Sequence, residues 1–212
     1  MVSGAAVAGI ALVALGMVLT PGPNMLYLVS RTLTQGRRAG LVSLAGVAVG
    51  FCAYAAATAA GLSAVFDLVP ALYSVLQVAG AGYLLWLAWQ ALRPGAVSVF
   101  DPRPVPPVSA SGLFTMGLVT NLLNPKIAVL YVSLLPQFVE PALGSVALQG
   151  VVLAAVQIVV ALSVNGLIVV TAGSVSRVLA GRPRWLRVQR WLMGTVLCAL
   201  ALRLLGERAR PV

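Results

Sequence analysis

The chain has 212 residues, of which 60% are hydrophobic and 8% are charged, and its formal net charge is +10. Soluble domains carry about 25% charged residues, so this composition excludes a water-soluble globular protein. The basic residues lie in short clusters between apolar runs and not on one amphipathic face, which argues against a nucleic-acid partner.

Six apolar runs follow one another along the chain, and most of them reach the roughly 20 residues that a helix needs to cross a bilayer. No Lys or Arg precedes the first run, so we interpret it as a retained membrane helix and not a signal peptide. The pattern predicts an all-α integral membrane protein that passes the bilayer about six times. The runs are 4–31, 39–61, 68–92, 111–136, 145–172 and 186–206.

Prolines interrupt the first and the fourth run, at Pro21 and Pro23 and at Pro125. Proline has no N–H group and its ring clashes with the preceding turn, so it breaks the hydrogen-bond ladder of a helix. We therefore expect each of these runs to form two half-helices joined by a short unwound turn.

A proline-rich connection over 93–110 divides the single membrane domain, 1–212, into halves at 1–92 and 111–212. Shifting one half onto the other aligns the pair Thr20-Pro21 with Asn124-Pro125. Three helices per half would point the two repeats in opposite directions through the membrane. Inverted repeats with a broken helix in each half are typical of secondary transporters, whose binding site lies near the membrane midplane.

Arginine placement predicts the orientation, because cytoplasmic loops are enriched in Lys and Arg. The connections after runs one, three and five are basic, so the linker 93–110 should be cytoplasmic and both chain ends should face outward. Arg203, Arg208 and Arg210 oppose this at the C-terminal end, whose placement stays open. The basic connections contain Arg31, Arg37, Arg38, Arg93, Arg103, Arg177, Arg182, Arg184, Arg187 and Arg190.

The break in the first run supplies one group of candidate substrate-binding residues. A half-helix that begins inside the membrane offers N–H donors and a positive dipole end, which suit a carboxylate. The alternative is a kink that serves packing alone. The candidates are Pro21, Gly22, Pro23 and Asn24.

The break in the fourth run supplies a second group, Asn121, Asn124, Pro125 and Lys126. Lys126 is the only lysine of the chain, and an ionisable side chain inside a bilayer marks a functional site by default. The alternative is a lysine that extends to the membrane interface. We expect Lys126 to hold the carboxylate of a substrate.

Three further polar residues within apolar runs, Tyr27, Gln157 and Asn165, are expected to face the same cavity. Gly46 and Gly50 form a GxxxG pattern in the second run, which Ala53 and Ala57 extend on the same face. Such a face packs against another helix, and it permits a homodimer without requiring one.

Enzymatic chemistry has little support in this sequence. The chain has no histidine, no Asp or Glu within the apolar runs, and two cysteines without a metal-binding spacing, Cys52 and Cys198. We therefore predict no catalytic residues, no metal site and no cofactor.

Three segments resemble one known family. They are LTPGPNMLY followed by SRTLTQGRRAGL, AGAGYLLWLAWQALR, and GLVTNLLNPKIAVLYVSLLPQFV. The sequence is similar over its whole length to the LysE-type translocators, especially to their RhtB branch of homoserine, threonine and neutral amino-acid exporters.

The resemblance implies export of amino acids from the bacterial cytoplasm across the inner membrane, driven by the proton-motive force, with protons as the coupling ion. The family's motif positions fall on Pro21, Gly22, Pro23 and Asn24 and on Asn124, Pro125 and Lys126. The runs contain no acid to pair with a second positive charge, which favours neutral cargo over lysine or arginine.

A different reading remains open, namely a channel or exporter for another small metabolite or an ion. The cargo, the coupling stoichiometry and the oligomeric state are not specified by the sequence.

Overall fold

A computed structural model describes residues 2–20, 22–68 and 106–179, and helical positions at 78, 81–82, 85–86, 88–89, 92, 191, 194–195, 198–199 and 201–202. Every regular element in these residues is helical, which confirms the all-α class. Runs 68–92 and 186–206 are described only at those scattered positions. Pro21 and the part of the linker over 93–105 lie outside the described residues.

The first run is broken, as predicted, into α1 (Gly4–Leu19) and α2 (Pro23–Gln35), which meet at an angle of 53°. The side chain of Ser3 caps the start of α1 by accepting a hydrogen bond from the Ala6 N–H group. Pro23 occupies the first turn of α2, where a missing N–H group costs nothing.

The fourth run is also broken, into α4 (Ala110–Leu122) and α5 (Pro125–Val129). The segments on either side of the break meet at 48°. Beyond α5 the chain forms a π-helical turn at Leu130–Leu134 and a 3₁₀ turn at Leu135–Phe138, neither of which the sequence predicted. Both halves thus contain the predicted break, whereas their inverted relation stays a prediction.

Two long helices flank the broken ones. Helix α3 spans Arg37–Leu68 and follows Gly36, whose φ of 88° favours glycine; helix α6 spans Val146–Leu179. Each extends several residues beyond the predicted run. Counting each bent pair as one span, the described residues contain up to four helical units that are long and apolar enough to cross a membrane.

Large apolar side chains remain exposed on the outer faces of these helices. Soluble proteins rarely expose so much apolar surface, whereas lipid contact requires it. Examples are Leu12, Leu123, Val159 and Leu167, each more than half exposed.

Helices α3 and α4 approach each other closely at small residues. A Cβ atom at Gly46 would overlap the carbonyl oxygen of Phe114, and one at Gly50 would overlap the side chain of Asn121. The predicted packing face is confirmed at these two glycines, and its partner is a helix of the same chain. Ala53 and Ala57, farther along α3, are exposed.

Hydrogen bonds tie the chain together at the end of α2. Arg31 donates to the carbonyl oxygen of Pro106 at 2.9 Å, and Gln35 donates to that of Val108 at 3.0 Å. The end of α2 and the segment before α4 therefore lie on one side of the helices, as the arginine pattern predicted for the connections after runs one and three.

The start of α1 is tied to the segment before α6. Ser3 donates to a carboxylate oxygen of Glu140 at 2.8 Å, and the main chain of Glu140 exchanges two hydrogen bonds with the side chain of Gln149. These contacts hold together the end of the molecule where α1 begins.

Candidate functional site

A small cavity with several polar side chains in its wall lies where the two helix breaks meet α3 and α6. Its volume is about 20 Å³, which holds about one water molecule. The predicted site residues that line it are Gly22, Asn24, Asn124, Lys126, Gln157 and Asn165. The remaining wall consists of Ala14, Met17, Val18, Met25, Phe51, Ile127, Leu130 and Ala161.

The ammonium group of Lys126 is buried at the end of α1. It donates to the carbonyl oxygens of Met17 at 2.6 Å and of Thr20 at 2.7 Å. The last carbonyl groups of a helix lack partners within the helix and carry partial negative charge, so a cation there is favourable. An ammonium group has three N–H donors, so one N–H of Lys126 remains for another acceptor.

Asn24 and Asn124 carry polar atoms without partners. The Asn124 Oδ1 atom accepts a hydrogen bond from the main chain of Lys126, and this caps α5. Its Nδ2 atom and the Oδ1 atom of Asn24 are buried and have no hydrogen-bond partner among the described residues. Leaving such groups unpaired costs about 1–3 kcal/mol each. A donor and an acceptor are therefore left unpaired at the two breaks.

The start of α2 lies close to this pair. No side chain of the described residues caps its N-terminus. A Cβ atom at Gly22 would lie 3.0 Å from the Lys126 nitrogen, so glycine lets the main chain approach the ammonium group.

Helix α6 contributes Gln157 and Asn165, two turns apart on one face. The Gln157 Oε1 atom accepts a hydrogen bond of 2.6 Å from the Tyr131 hydroxyl group. Asn165 donates from Nδ2 to the carbonyl oxygen of Ala161 at 2.8 Å. The structure thus brings both residues to the cavity.

Other predicted site residues lie elsewhere. Pro23 and Pro125 begin α2 and α5 without lining the cavity. The hydroxyl group of Tyr27 donates to the Leu113 carbonyl oxygen at 2.7 Å and accepts from Ser43, so it connects α2 to α4 and α3. Asn121 is buried against Gly50 at the α3–α4 contact. Pro21 lies outside the described residues.

Sequence reasoning did not single out Phe51 and Tyr131. Phe51 belongs to no recognisable motif, because the sequence does not distinguish an aromatic residue that lines a cavity from one in the hydrophobic core. Tyr131 follows Leu130 as Tyr27 follows Leu26, but this repeated pair gave no indication of the π-helical turn. Such turns occur frequently at functional sites.

Two broken helices around a cavity lined by a buried lysine and three buried asparagines, in a helical membrane protein, are typical of a membrane transport protein. The comparison with known families agrees, since the model of the LysE type translocators matches residues 15–208. The chain belongs to the LysE type translocator family. It is a transporter and not an enzyme, and it is a multi-pass protein of the bacterial cytoplasmic membrane.

Several curated proteins are similar to this chain. The uncharacterized membrane protein YahN of Escherichia coli K12 is 30% identical over 88% of this chain and 83% of its own length. The threonine efflux protein of the same strain is 29% identical over 67% of this chain and 70% of its own length. A leucine efflux protein of Klebsiella pneumoniae is 26% identical over 89% of each chain. No solved structure matches the chain.

Proposed function

We propose that this chain exports neutral amino acids from the cytoplasm, and that the cavity between the two helix breaks binds the charged head group of the cargo. One observation carries the proposal. Asn24 and Asn124 line the cavity together with Lys126, and within the described part of the chain they carry an unpaired acceptor, Asn24 Oδ1, and an unpaired donor, Asn124 Nδ2. An amino acid offers the complementary pair, an α-ammonium donor and an α-carboxylate acceptor.

The carboxylate takes the side of the cavity that holds Lys126. There it accepts hydrogen bonds from the remaining N–H of Lys126, from Asn124 Nδ2, and from the uncapped first turn of α2. Hydrogen bonds between charged groups are about twice as strong as those between neutral ones. The α-ammonium group donates to Asn24 Oδ1.

Neutral cargo follows from the charges of the wall. The residues that line the described cavity include one cation and no carboxylate. A second positive charge on lysine or arginine would enter without a counter-ion, at a desolvation cost of several kcal/mol. Zwitterions without a charged side chain avoid this cost.

A carrier fits the cavity better than a pore does. A space of about 20 Å³ is much smaller than any amino acid, so the helices must separate on one side before cargo enters. Hydrogen bonds at the Pro106 and Glu140 ends of the molecule are the contacts that separation would break. Alternating access therefore describes the transport cycle.

The named relatives support both the direction and the cargo, because threonine and leucine efflux proteins are similar to this chain. The proton-motive force is the proposed energy source. The sequence contains no G-x-x-x-x-G-K-[ST] motif for nucleotide binding, which fits transport without ATP.

Counterflow in proteoliposomes tests the proposal. Vesicles loaded with one unlabelled neutral amino acid should accumulate the labelled form transiently, whereas labelled lysine and arginine should not accumulate. A pore gives no such overshoot. An imposed proton gradient should raise net transport, and an uncoupler should abolish the increase. Absence of overshoot for every amino acid would refute the proposal and favour another metabolite or an ion as cargo.

A further inference from the structure

Tyr131 and Gln157 form a buried hydrogen-bonded pair beside the cavity. The hydroxyl group of Tyr131 donates to Gln157 Oε1 at 2.6 Å, and both side chains are at least 98% buried. Gln157 lines the cavity, whereas Tyr131 stands behind it in the π-helical turn.

A second aromatic residue fixes the ring of Tyr131. The rings of Tyr54 and Tyr131 stack with centroids 5.4 Å apart and planes at 20°. The hydroxyl group of Tyr54 donates to the carbonyl oxygen of Leu122, the last residue of α4, at 2.8 Å. The orientation of Tyr131 is thus tied to the break between α4 and α5.

This contact decides which polar atom Gln157 offers to cargo. The oxygen of its amide already accepts from Tyr131, so the NH₂ group is the part left to interact. The Gln157 Nε2 atom has no hydrogen-bond partner in the described part of the chain. The neighbouring wall is apolar and includes Phe51, Leu130 and Ala161.

We propose that Gln157, with its amide oriented by Tyr131, is a specificity-determining residue that selects amino acids with a hydroxyl group on the side chain over aliphatic ones. This inference rests on the proposed function, because it needs the head group at Lys126 and the side chain toward α6. Tyr131 is the positioning residue, since it acts through Gln157 and does not line the cavity.

The selectivity arises from an unpaired donor. A hydroxyl oxygen of cargo accepts from Gln157 Nε2, whereas an aliphatic side chain of the same size covers that donor and leaves it without a partner. Sites built to hydrogen-bond a hydroxyl group discriminate strongly against analogues that lack it. Threonine and valine are the matched pair of cargoes, since a hydroxyl group in one replaces a methyl group in the other.

The test compares threonine and valine as competitors of labelled alanine counterflow. The wild-type protein should have a half-saturation concentration about tenfold lower for threonine than for valine. Tyr131→Phe and Gln157→Met should each bring this ratio close to one. Tyr131→Phe should also leave alanine counterflow in place, because Tyr131 does not line the cavity, whereas for Gln157→Met only the threonine-to-valine ratio is compared, whatever its effect on the alanine rate. Gln149→Met is the matched control, because Gln149 is an equally buried glutamine of α6 that bonds to Glu140 away from the cavity; it should keep the wild-type ratio.

The possible outcomes distinguish a failure of this inference from a failure of the proposed function. Alanine counterflow with no preference for threonine in the wild type, or with an unchanged ratio in both variants, would overturn the inference alone. No counterflow of any amino acid by the wild type would overturn the proposed function and the inference with it. A thermal-shift measurement on the wild type needs no variant to fold: threonine should raise the unfolding temperature more than valine does, and an equal shift would contradict the selectivity.

Discussion

The ammonium group of Lys126 donates a hydrogen bond of 2.7 Å to the carbonyl oxygen of Thr20, so a residue of the second half neutralises the end of the first half's broken helix. A carboxylate is a stronger acceptor than a carbonyl group. In the proposed binding mode the cargo carboxylate takes the third N–H of Lys126 and draws the ammonium group toward itself, which would weaken its hydrogen bonds to the end of α1 and loosen the contact between the two breaks.

Replacing Lys126 by Gln should abolish most transport. The substitution removes a charge-assisted hydrogen bond worth about 1.5–3 kcal/mol, so we expect a fall in transport efficiency of about 10- to 100-fold. Counterflow of labelled alanine measures it. Alaninamide, which lacks the carboxylate, distinguishes carboxylate binding by Lys126 from a purely structural role of this residue. The wild-type protein should prefer alanine to alaninamide, and the variant should lose that preference. If the variant still preferred alanine to alaninamide, the role of Lys126 would be limited to capping the end of α1.

Replacing Asn24 by Ala should weaken cargo binding by about tenfold, because it removes the acceptor assigned to the α-ammonium group. Asn121→Ala is the matched control. Asn121 is buried and its amide also lacks partners among the described residues, but it lies at the α3–α4 contact and not in the cavity. Half-saturation concentrations in counterflow compare the two. Equal effects of both substitutions would contradict the role of Asn24.

Replacing Gly46 by Ala should destabilise the protein by about 1–3 kcal/mol, because the added methyl group overlaps the main chain of Phe114 and pushes α3 and α4 apart. Gly61→Ala, on the same helix, meets nothing within 4 Å and should be neutral or slightly stabilising. Thermal unfolding in detergent measures both. Similar unfolding temperatures for the two variants would refute the close packing at Gly46.

Cysteine labelling tests the orientation. With Cys52 and Cys198 replaced by Ser, a membrane-impermeant thiol reagent should label Ala142→Cys in intact cells and Pro107→Cys only after permeabilisation. Both positions are exposed, and they lie beside Glu140 and Pro106 at the two hydrogen-bonded ends. The reverse pattern would place the segment before α4 outside the cell.

The sequence was sufficient for features that depend on local chemistry. Apolar runs predicted membrane helices because the bilayer requires length and hydrophobicity, and both Pro23 and Pro125 begin half-helices because proline cannot continue a hydrogen-bond ladder. Lys126 was predicted to be a functional residue for a local reason as well, since a charged side chain in an apolar run needs a partner. The resemblance to the translocators followed from the same segments.

Only the tertiary structure decided which polar groups meet. The rotation of each helix about its axis sets this, and sequence spacing does not fix how two helices face each other. Thus Asn24 and Asn124 share the cavity while Asn121, three residues before Asn124, packs against Gly50. The π-helical turn brings Tyr131 to Gln157, and Lys126 reaches across the two halves to the end of α1, because distant segments of the chain pack together there.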